Sequence, residues 1–149
     1  MIYVPWDICS RTMSGDEILE EGQTQQLDFN KLKSIGEAGH RVIPVVLQEI
    51  DTKEVLFIGY ANQEAFELSL ERKSAVLYST SRHEIWHKGA TSGDTLSLIE
   101  IRVNCEQNSL LYMVRRDGAG ACHTKTESGV GRSGCYYRKV DNSETLSFL

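Results

Sequence analysis

The sequence of 149 residues has no apolar run approaching the ~18 residues that cross a membrane. Its first ten residues show no basic segment ahead of an apolar stretch, as a secretory signal would have. Positive charge is not in excess either, because the formal net charge is -5 and the pI about 5.4. That balance argues against a nucleic-acid binder with a basic face. We therefore expect a cytoplasmic protein with neither a membrane nor a nucleic acid as partner.

The chain also has no internal repeat and no low-complexity tract, and its length is that of one ordinary domain. Acidic residues set residues 1–26 apart, which we interpret as an N-terminal arm ahead of a domain formed by residues 27–149. Apolar runs at 42–47 and 54–60, joined by a polar turn, predict a β-hairpin. Asn62 is a good N-cap for a helix that ends near Arg72, with Phe66 and Leu70 as an apolar pair.

Further strands are predicted at 75–78, 96–105, 110–115 and 135–140, with a polar stretch at 79–95. The sequence thus predicts an α+β fold, mostly antiparallel β-sheet with one prominent helix.

The four cysteines, Cys9, Cys105, Cys122 and Cys135, form no Cys-x-x-Cys pair. In a chain of this size without an export signal, cysteines tend to be buried, catalytic or metal-ligating. From its place at the end of a predicted apolar strand alone, Cys105 could equally be a buried core thiol. Three thiolates and one water would make a catalytic zinc site, in which His123, directly after Cys122, could move protons. Alternatively, His123 is a solvated or capping loop residue.

Residues 83–87 read His-Glu-Ile-Trp-His and match the H-E-x-x-H pattern of zinc proteases. That pattern binds zinc only on a helix, where the two histidines share a face. Polar and glycine-rich segments flank it here, so the protease interpretation depends on a helix for which the sequence offers little support.

The stretch 81–93 combines cations, hydroxyls and glycines, which are the groups that recognise phosphate. Trp86 could stack on a base. The alternative is an exposed polar connection with one core tryptophan. The candidate substrate-binding residues in this stretch are Arg82, Trp86, Lys88, Thr91 and Ser92.

Five short blocks follow one another in the second half of the chain: YSTSR (78–82), W-x-KG-x-TSG (86–93), NCE (104–106), ACHT (121–124) and SGCYYR (133–138). In this order they resemble the phosphoribosyl-AMP cyclohydrolase family of histidine biosynthesis. The stretch VLFIGYAN-x-EA (55–65) resembles the family's first strand and helix cap. The resemblance extends over roughly residues 27–140.

The resemblance implies an intertwined homodimer with a zinc site shared between subunits. Cys105 of one subunit and Cys122 and Cys135 of the other would be its ligands. The family opens the N1–C6 bond of the adenine ring of phosphoribosyl-AMP, giving a formimino carboxamide nucleotide. His123 would be the proton-transfer residue, and the five residues of the 81–93 stretch would bind substrate.

The chain departs from the family at its magnesium run, Asp-Cys-Asp-x-Asp, where Asn104, Glu106 and Asn108 stand instead. Magnesium is held mainly by carboxylate charge, so we expect a weak or absent magnesium site. Thr80 and His87 stand where the family has arginines. We call this chain a divergent member.

Two other functions stay open beside the ordinary cyclohydrolase. One is a paralogous zinc hydrolase that acts on a different purine-type nucleotide or nucleoside. The other is a non-catalytic zinc module that binds a nucleotide. A nucleobase deaminase is disfavoured because its His-x-Glu and Pro-Cys-x-x-Cys signature is missing. Cys9 has no family counterpart, and we treat it as a free thiol.

Overall fold

The computed structural model describes residues 12–149, so Cys9 lies outside the described residues. Within this range the fold is α+β, as predicted, with three helices and eight strands. The prominent helix that the sequence predicts is α3, the longest of the three, and two shorter helices precede the first strand. The helices are α1 Gly15–Glu21, α2 Lys31–Glu37 and α3 Gln63–Arg72. The strands are β1 Ile43–Glu49, β2 Val55–Ala61, β3 Val76–Ser79, β4 Glu84–His87, β5 Leu96–Val103, β6 Leu110–Arg116, β7 Arg138–Val140 and β8 Leu146–Phe148.

The main sheet has the strand order β2-β1-β6-β5. The predicted hairpin of β1 and β2 is confirmed as antiparallel, and β5 pairs with β6 in the same way. Only β1 and β6 run parallel in this sheet. Pro44 lies in the central strand β1, but pairing with β6 begins one residue later, at Val45. The missing proline amide therefore lies outside the paired residues of the β1–β6 ladder.

Helix α3 begins as predicted, since the Asn62 side chain accepts a hydrogen bond from the amide of Ala65 at 2.8 Å. The apolar pair was misjudged, because Leu70 is 52% exposed. Ala65 and Ser69 face the core instead, where their small side chains let the helix approach β3 closely. The Ser69 hydroxyl accepts from the amide of Val76 at 3.0 Å and lies 2.8 Å from the carbonyl oxygen of the same residue.

The stretch predicted as polar loop, 79–95, contains strand β4 paired with β3. His83 lies in the turn between them with φ at 59°, and His87 ends β4. The protease interpretation is therefore wrong. Side chains alternate along a strand, so the two histidines do not share the helical face that the H-E-x-x-H pattern needs.

Residues 12–26 contain helix α1. A capping box formed by Ser14 and Glu17 stabilises the start of this helix. The segment then packs beside β8: the amide of Gln25 donates to the carbonyl of Glu144, and that of Leu146 to the carbonyl of Gln23, each at 2.7 Å. The division of the chain at residue 26 stays a prediction.

Among residues 12–149, no helix is long and apolar enough to cross a membrane.

Candidate active site

The loop after β6 brings Cys122 and Cys135 together. Two backbone hydrogen bonds join the two halves of this loop. The amide of Ala121 donates to the carbonyl of Ser133 at 3.0 Å, and the amide of Cys122 donates to the carbonyl of Arg132 at 3.3 Å. The amide of Cys135 then donates to the carbonyl of Leu56 in β2 at 2.7 Å. The two thiols consequently lie close enough for Cys122 to affect the pKa of Cys135, although twelve residues separate them.

The electrostatics around these thiols suit a bound cation. Cys135 is an exposed residue, but partial burial of its sulfur raises the pKa of the Cys135 thiol to about 12, and the neighbouring Cys122 thiol adds to the shift. The charge of Lys88 opposes it. Thr124 supports Cys122, with its hydroxyl 3.0 Å from the sulfur and its amide donating to the sulfur at 3.5 Å. Two adjacent thiols that resist joint ionisation on their own are a donor set that fits a soft divalent metal such as zinc.

Lys88 is 7% exposed and stands beside both thiols. Burial lowers the pKa of its ammonium group, while the charges of Asp94, Cys135 and Cys122 raise it. The ammonium donates to the carbonyl oxygen of Asp94 at 3.5 Å. Gly89 allows this turn: its φ is +77°, and a Cβ there would lie 2.1 Å from the carbonyl carbon of Asp94.

A cavity of about 480 Å³ lies next to the thiol pair. Cys122 and His123 line this cavity. So do all five predicted substrate-binding residues, Arg82, Trp86, Lys88, Thr91 and Ser92. The guanidinium of Arg82 lies over the Trp86 ring at 5.9 Å, so the cation and the aromatic face are presented together.

Three further polar residues line the same cavity, His87, Asp94 and Lys125, none of which the sequence analysis assigned to substrate binding. Lys125 follows the ACHT block directly, which could have pointed to it. The Nε2 atom of His87 lies 2.9 Å from the Ser74 hydroxyl, so this ring has a partner in the neighbouring strand segment.

Cys105 does not join the other two cysteines in this chain. The cavity lies near the Leu96 end of β5, where Asp94 contacts Lys88, whereas Cys105 follows the opposite end of that strand and is exposed. Eight residues of strand separate the two ends by about 23 Å. Consistent with this, residues 12–149 contain no group of three or more Cys, His, Asp or Glu side chains able to hold one metal.

The run predicted as a degenerate magnesium site is held together by its own hydrogen bonds. The Asn104 amide group donates to the side-chain oxygen of Asn108 at 2.7 Å, and the Asn108 amide group donates to Glu106 at 3.1 Å. The Asn104 side-chain oxygen accepts from the backbone amides of Asn108 and Ser109, both at 2.9 Å. Amide N–H donors thus stand where a cation would need oxygen ligands.

His123 is largely exposed, with 77% of its side chain accessible, and its Nε2 atom lies 2.7 Å from a carboxylate oxygen of Glu20 in α1. No sequence pattern predicts this contact, because Glu20 is one of several acidic residues in the arm and lies 103 residues before His123 in the chain.

A family model described as phosphoribosyl-AMP cyclohydrolase matches residues 57–137. That span exceeds half of the chain. The chain belongs to the phosphoribosyl-AMP cyclohydrolase family. A phosphoribosyl-AMP cyclohydrolase of Archaeoglobus fulgidus is 43% identical over 103 residues, which cover 69% of this chain and 89% of the relative. One from Halobacterium salinarum is 41% identical over 119 residues, 76% of this chain and 87% of the relative. A histidine biosynthesis bifunctional protein of Aquifex aeolicus is 39% identical over 103 residues, 69% of this chain and 47% of that protein.

The cyclohydrolase family match contains every site residue that the sequence predicted, from Arg82 to Cys135, and the resemblance is confirmed over a shorter span than expected. The segment before residue 57, with α1 and Glu20, lies outside the matched residues.

Proposed function

We propose that this chain is a phosphoribosyl-AMP cyclohydrolase, which adds water across the N1–C6 bond of the adenine ring and releases the formimino carboxamide nucleotide. One observation supports this above all. The five predicted substrate-binding residues, Cys122 and His123 line one cavity, in a chain whose relatives bear the name of this enzyme.

We further propose that zinc binds to Cys122 and Cys135, since two adjacent thiols fit a thiophilic dication. Such an ion, held by these residues, would supply a bound water whose pKa lies near about 7. Thr124 orients the Cys122 sulfur through its hydroxyl and its backbone amide.

The other residues of the cavity bind and orient the substrate. Arg82 and Lys88 offer positive charge to phosphate groups, and Trp86 offers a flat apolar face to the base. Water addition puts oxygen on C6 and a proton on N1. We assign the transfer of that proton to His123, which lines the cavity next to Cys122.

The third thiolate would come from a second copy of the chain. Cys105 is exposed and about 23 Å of strand away from the cavity, so Cys105 of the same chain does not reach the pair. A homodimer in which each Cys105 reaches the partner's thiol pair would bring three thiolate ligands to one metal. Exposed apolar side chains are available for such an interface, among them Leu27, Phe29, Leu32, Ile58 and Val103.

A complementation experiment tests the shared site. Cys105→Ser protein and Cys122→Ser plus Cys135→Ser protein should each be inactive. Unfolded together and refolded as a mixture, they should regain about a quarter of wild-type activity, because half of the dimers are hybrids with one intact site. Failure of the mixture to regain activity, with both variants folded, would contradict the shared site.

A different purine-type nucleotide or nucleoside is the second candidate substrate. Thr80 and His87 replace two cations, and the His87 ring bonds to Ser74. The deciding measurement is an absorbance assay that compares phosphoribosyl-AMP with N1-substituted adenosine and AMP. Turnover of phosphoribosyl-AMP at ordinary enzyme rates supports the cyclohydrolase. Preference for an analogue supports the paralogous hydrolase, and no turnover of any compound supports a nucleotide-binding zinc module.

A further inference from the structure

The N-terminal arm brings an acidic side chain into the site from outside the family match. A carboxylate oxygen of Glu20 lies 2.7 Å from Nε2 of His123, well within hydrogen-bonding distance. Glu20 belongs to α1, whereas the matched family residues begin at Phe57. The contact therefore adds a residue to the site that none of the family-like blocks contains.

The position of Glu20 does not depend on this exposed contact alone. The next residue, Glu21, forms two hydrogen bonds with the Arg132 guanidinium at 2.5 and 2.9 Å, and the Arg132 side chain is only 11% exposed. The Tyr137 hydroxyl donates to the backbone carbonyl of Glu20 at 2.9 Å. Arg138 donates to the carbonyl of Gly22 at 2.8 Å. These contacts fix the backbone at Glu20 and on either side of it.

The aromatic ring of Tyr137 joins the same anchor, because the Arg132 guanidinium lies over it at 4.0 Å from the ring centre. Arg132 and Thr124 are in turn linked by a backbone hydrogen bond of 3.2 Å across the loop that contains His123. The arm and the catalytic loop are consequently tied to each other through Arg132. A carboxylate held by such an anchor can orient an imidazole at little entropic cost.

We propose that Glu20 is a positioning residue that orients the imidazole of His123 for proton transfer. This inference rests on the proposed function. By accepting a hydrogen bond from Nε2–H, the carboxylate fixes the ring tautomer and leaves Nδ1 as the nitrogen with a free lone pair. That nitrogen takes a proton from water and returns it to N1 of the opened ring, so His123 is unchanged after one turnover. The arm is thus a working part of the site.

A double-mutant cycle on the full-length enzyme with phosphoribosyl-AMP tests this role. Glu20→Ala should lower kcat by about threefold to tenfold, the range expected for the loss of one hydrogen bond, and leave KM within about twofold. In the His123→Ala background, Glu20→Ala should cause no further loss. Glu20→Gln keeps an acceptor oxygen at the same place and should retain most of kcat.

Asp16→Ala is the matched control, because it removes the same charge from an exposed position of the same helix. It should leave kcat unchanged. Urea midpoints of all variants verify that each is folded. Equal losses in both backgrounds, a rise in KM alone, or the same loss for Asp16→Ala would overturn the positioning role. A wild-type protein inactive on phosphoribosyl-AMP would instead overturn the proposed function, and with it the inference.

Discussion

The ammonium group of Lys88 lies 3.5 Å from the carbonyl oxygen of Asp94, in a place where only 7% of the lysine is exposed. A buried cation is costly unless neighbouring groups compensate for the lost water. Here the carbonyl oxygen and the charge of Asp94 compensate, and the Cys122 and Cys135 sulfurs add to this only when they are ionised. The cation is therefore placed where negative charge on the thiols, or on a bound substrate, would be neutralised.

Replacing Lys88 by methionine should separate stability from activity. Burial is the first cause that lowers the pKa of this lysine, so its ammonium form is disfavoured in the folded state. Lys88→Met keeps the length and removes the charge, and the urea midpoint should stay level or rise. Activity should fall at least about tenfold. Lys31→Met, at an exposed position of α2, should change neither quantity, and a destabilised but fully active Lys88→Met enzyme would contradict the assignment.

Metal analysis of the purified protein should give about one zinc per chain. Cys122→Ser plus Cys135→Ser should reduce it to near zero, because those two thiols supply the adjoining donors on one chain. Cys9→Ser is the control and should retain the metal. Zinc that survives the loss of both Cys122 and Cys135, in a folded protein, would refute the zinc assignment.

Magnesium should have little effect on wild-type activity or thermal stability. The side-chain oxygen of Asn104 is already occupied by the amides of Asn108 and Ser109, and only Glu106 brings a carboxylate to the run. Asn104→Asp plus Asn108→Asp should create a magnesium-dependent rise in melting temperature, measured by thermal shift with and without millimolar magnesium. Strict magnesium dependence of the wild-type enzyme would show that this run still binds the ion.

The docking of the arm should weaken in acid. The hydrogen bond from Arg132 lowers the pKa of Glu21 below 4.5, so the docked form prefers the ionised carboxylate. Its contribution to the free energy of unfolding is therefore complete above pH 4.5 and is lost as the pH falls through the lowered value. Urea denaturation should show Glu21→Gln less stable than wild type by about 1 kcal/mol at pH 7 and equal to it in strong acid.

The matched control for that experiment is Glu37→Gln. Glu37 pairs with Lys33 at 3.2 Å, but both side chains are about two-thirds exposed. A solvated pair contributes little, so this variant should follow wild type at every pH. A Glu21→Gln deficit that stays constant from pH 7 into strong acid would contradict the titration of Glu21 as its cause.

Local signals predicted local structure well. The Asn62 cap, the β1–β2 hairpin and the mostly antiparallel sheet all follow from short-range patterns, and the structure confirms them. Strand β4 escaped prediction because its four residues lie in a polar setting and are ordered by pairing with β3 rather than by their own pattern. The same pairing places the H-E-x-x-H residues in a turn and a strand. A five-residue pattern alone does not determine whether its residues form a helix or a strand, so the protease motif was misleading.

The sequence by itself determined the family, since its ordered blocks contain the chemistry: three thiols, a histidine and a phosphate-type loop. Only the tertiary structure decided which of these groups meet. Backbone pairing within the loop joins Cys122 to Cys135, while the length of β5 keeps Cys105 away. Docking of the arm through Arg132 brings Glu20 to His123. Contacts between residues distant in sequence depend on how whole elements pack, and no local pattern encodes that.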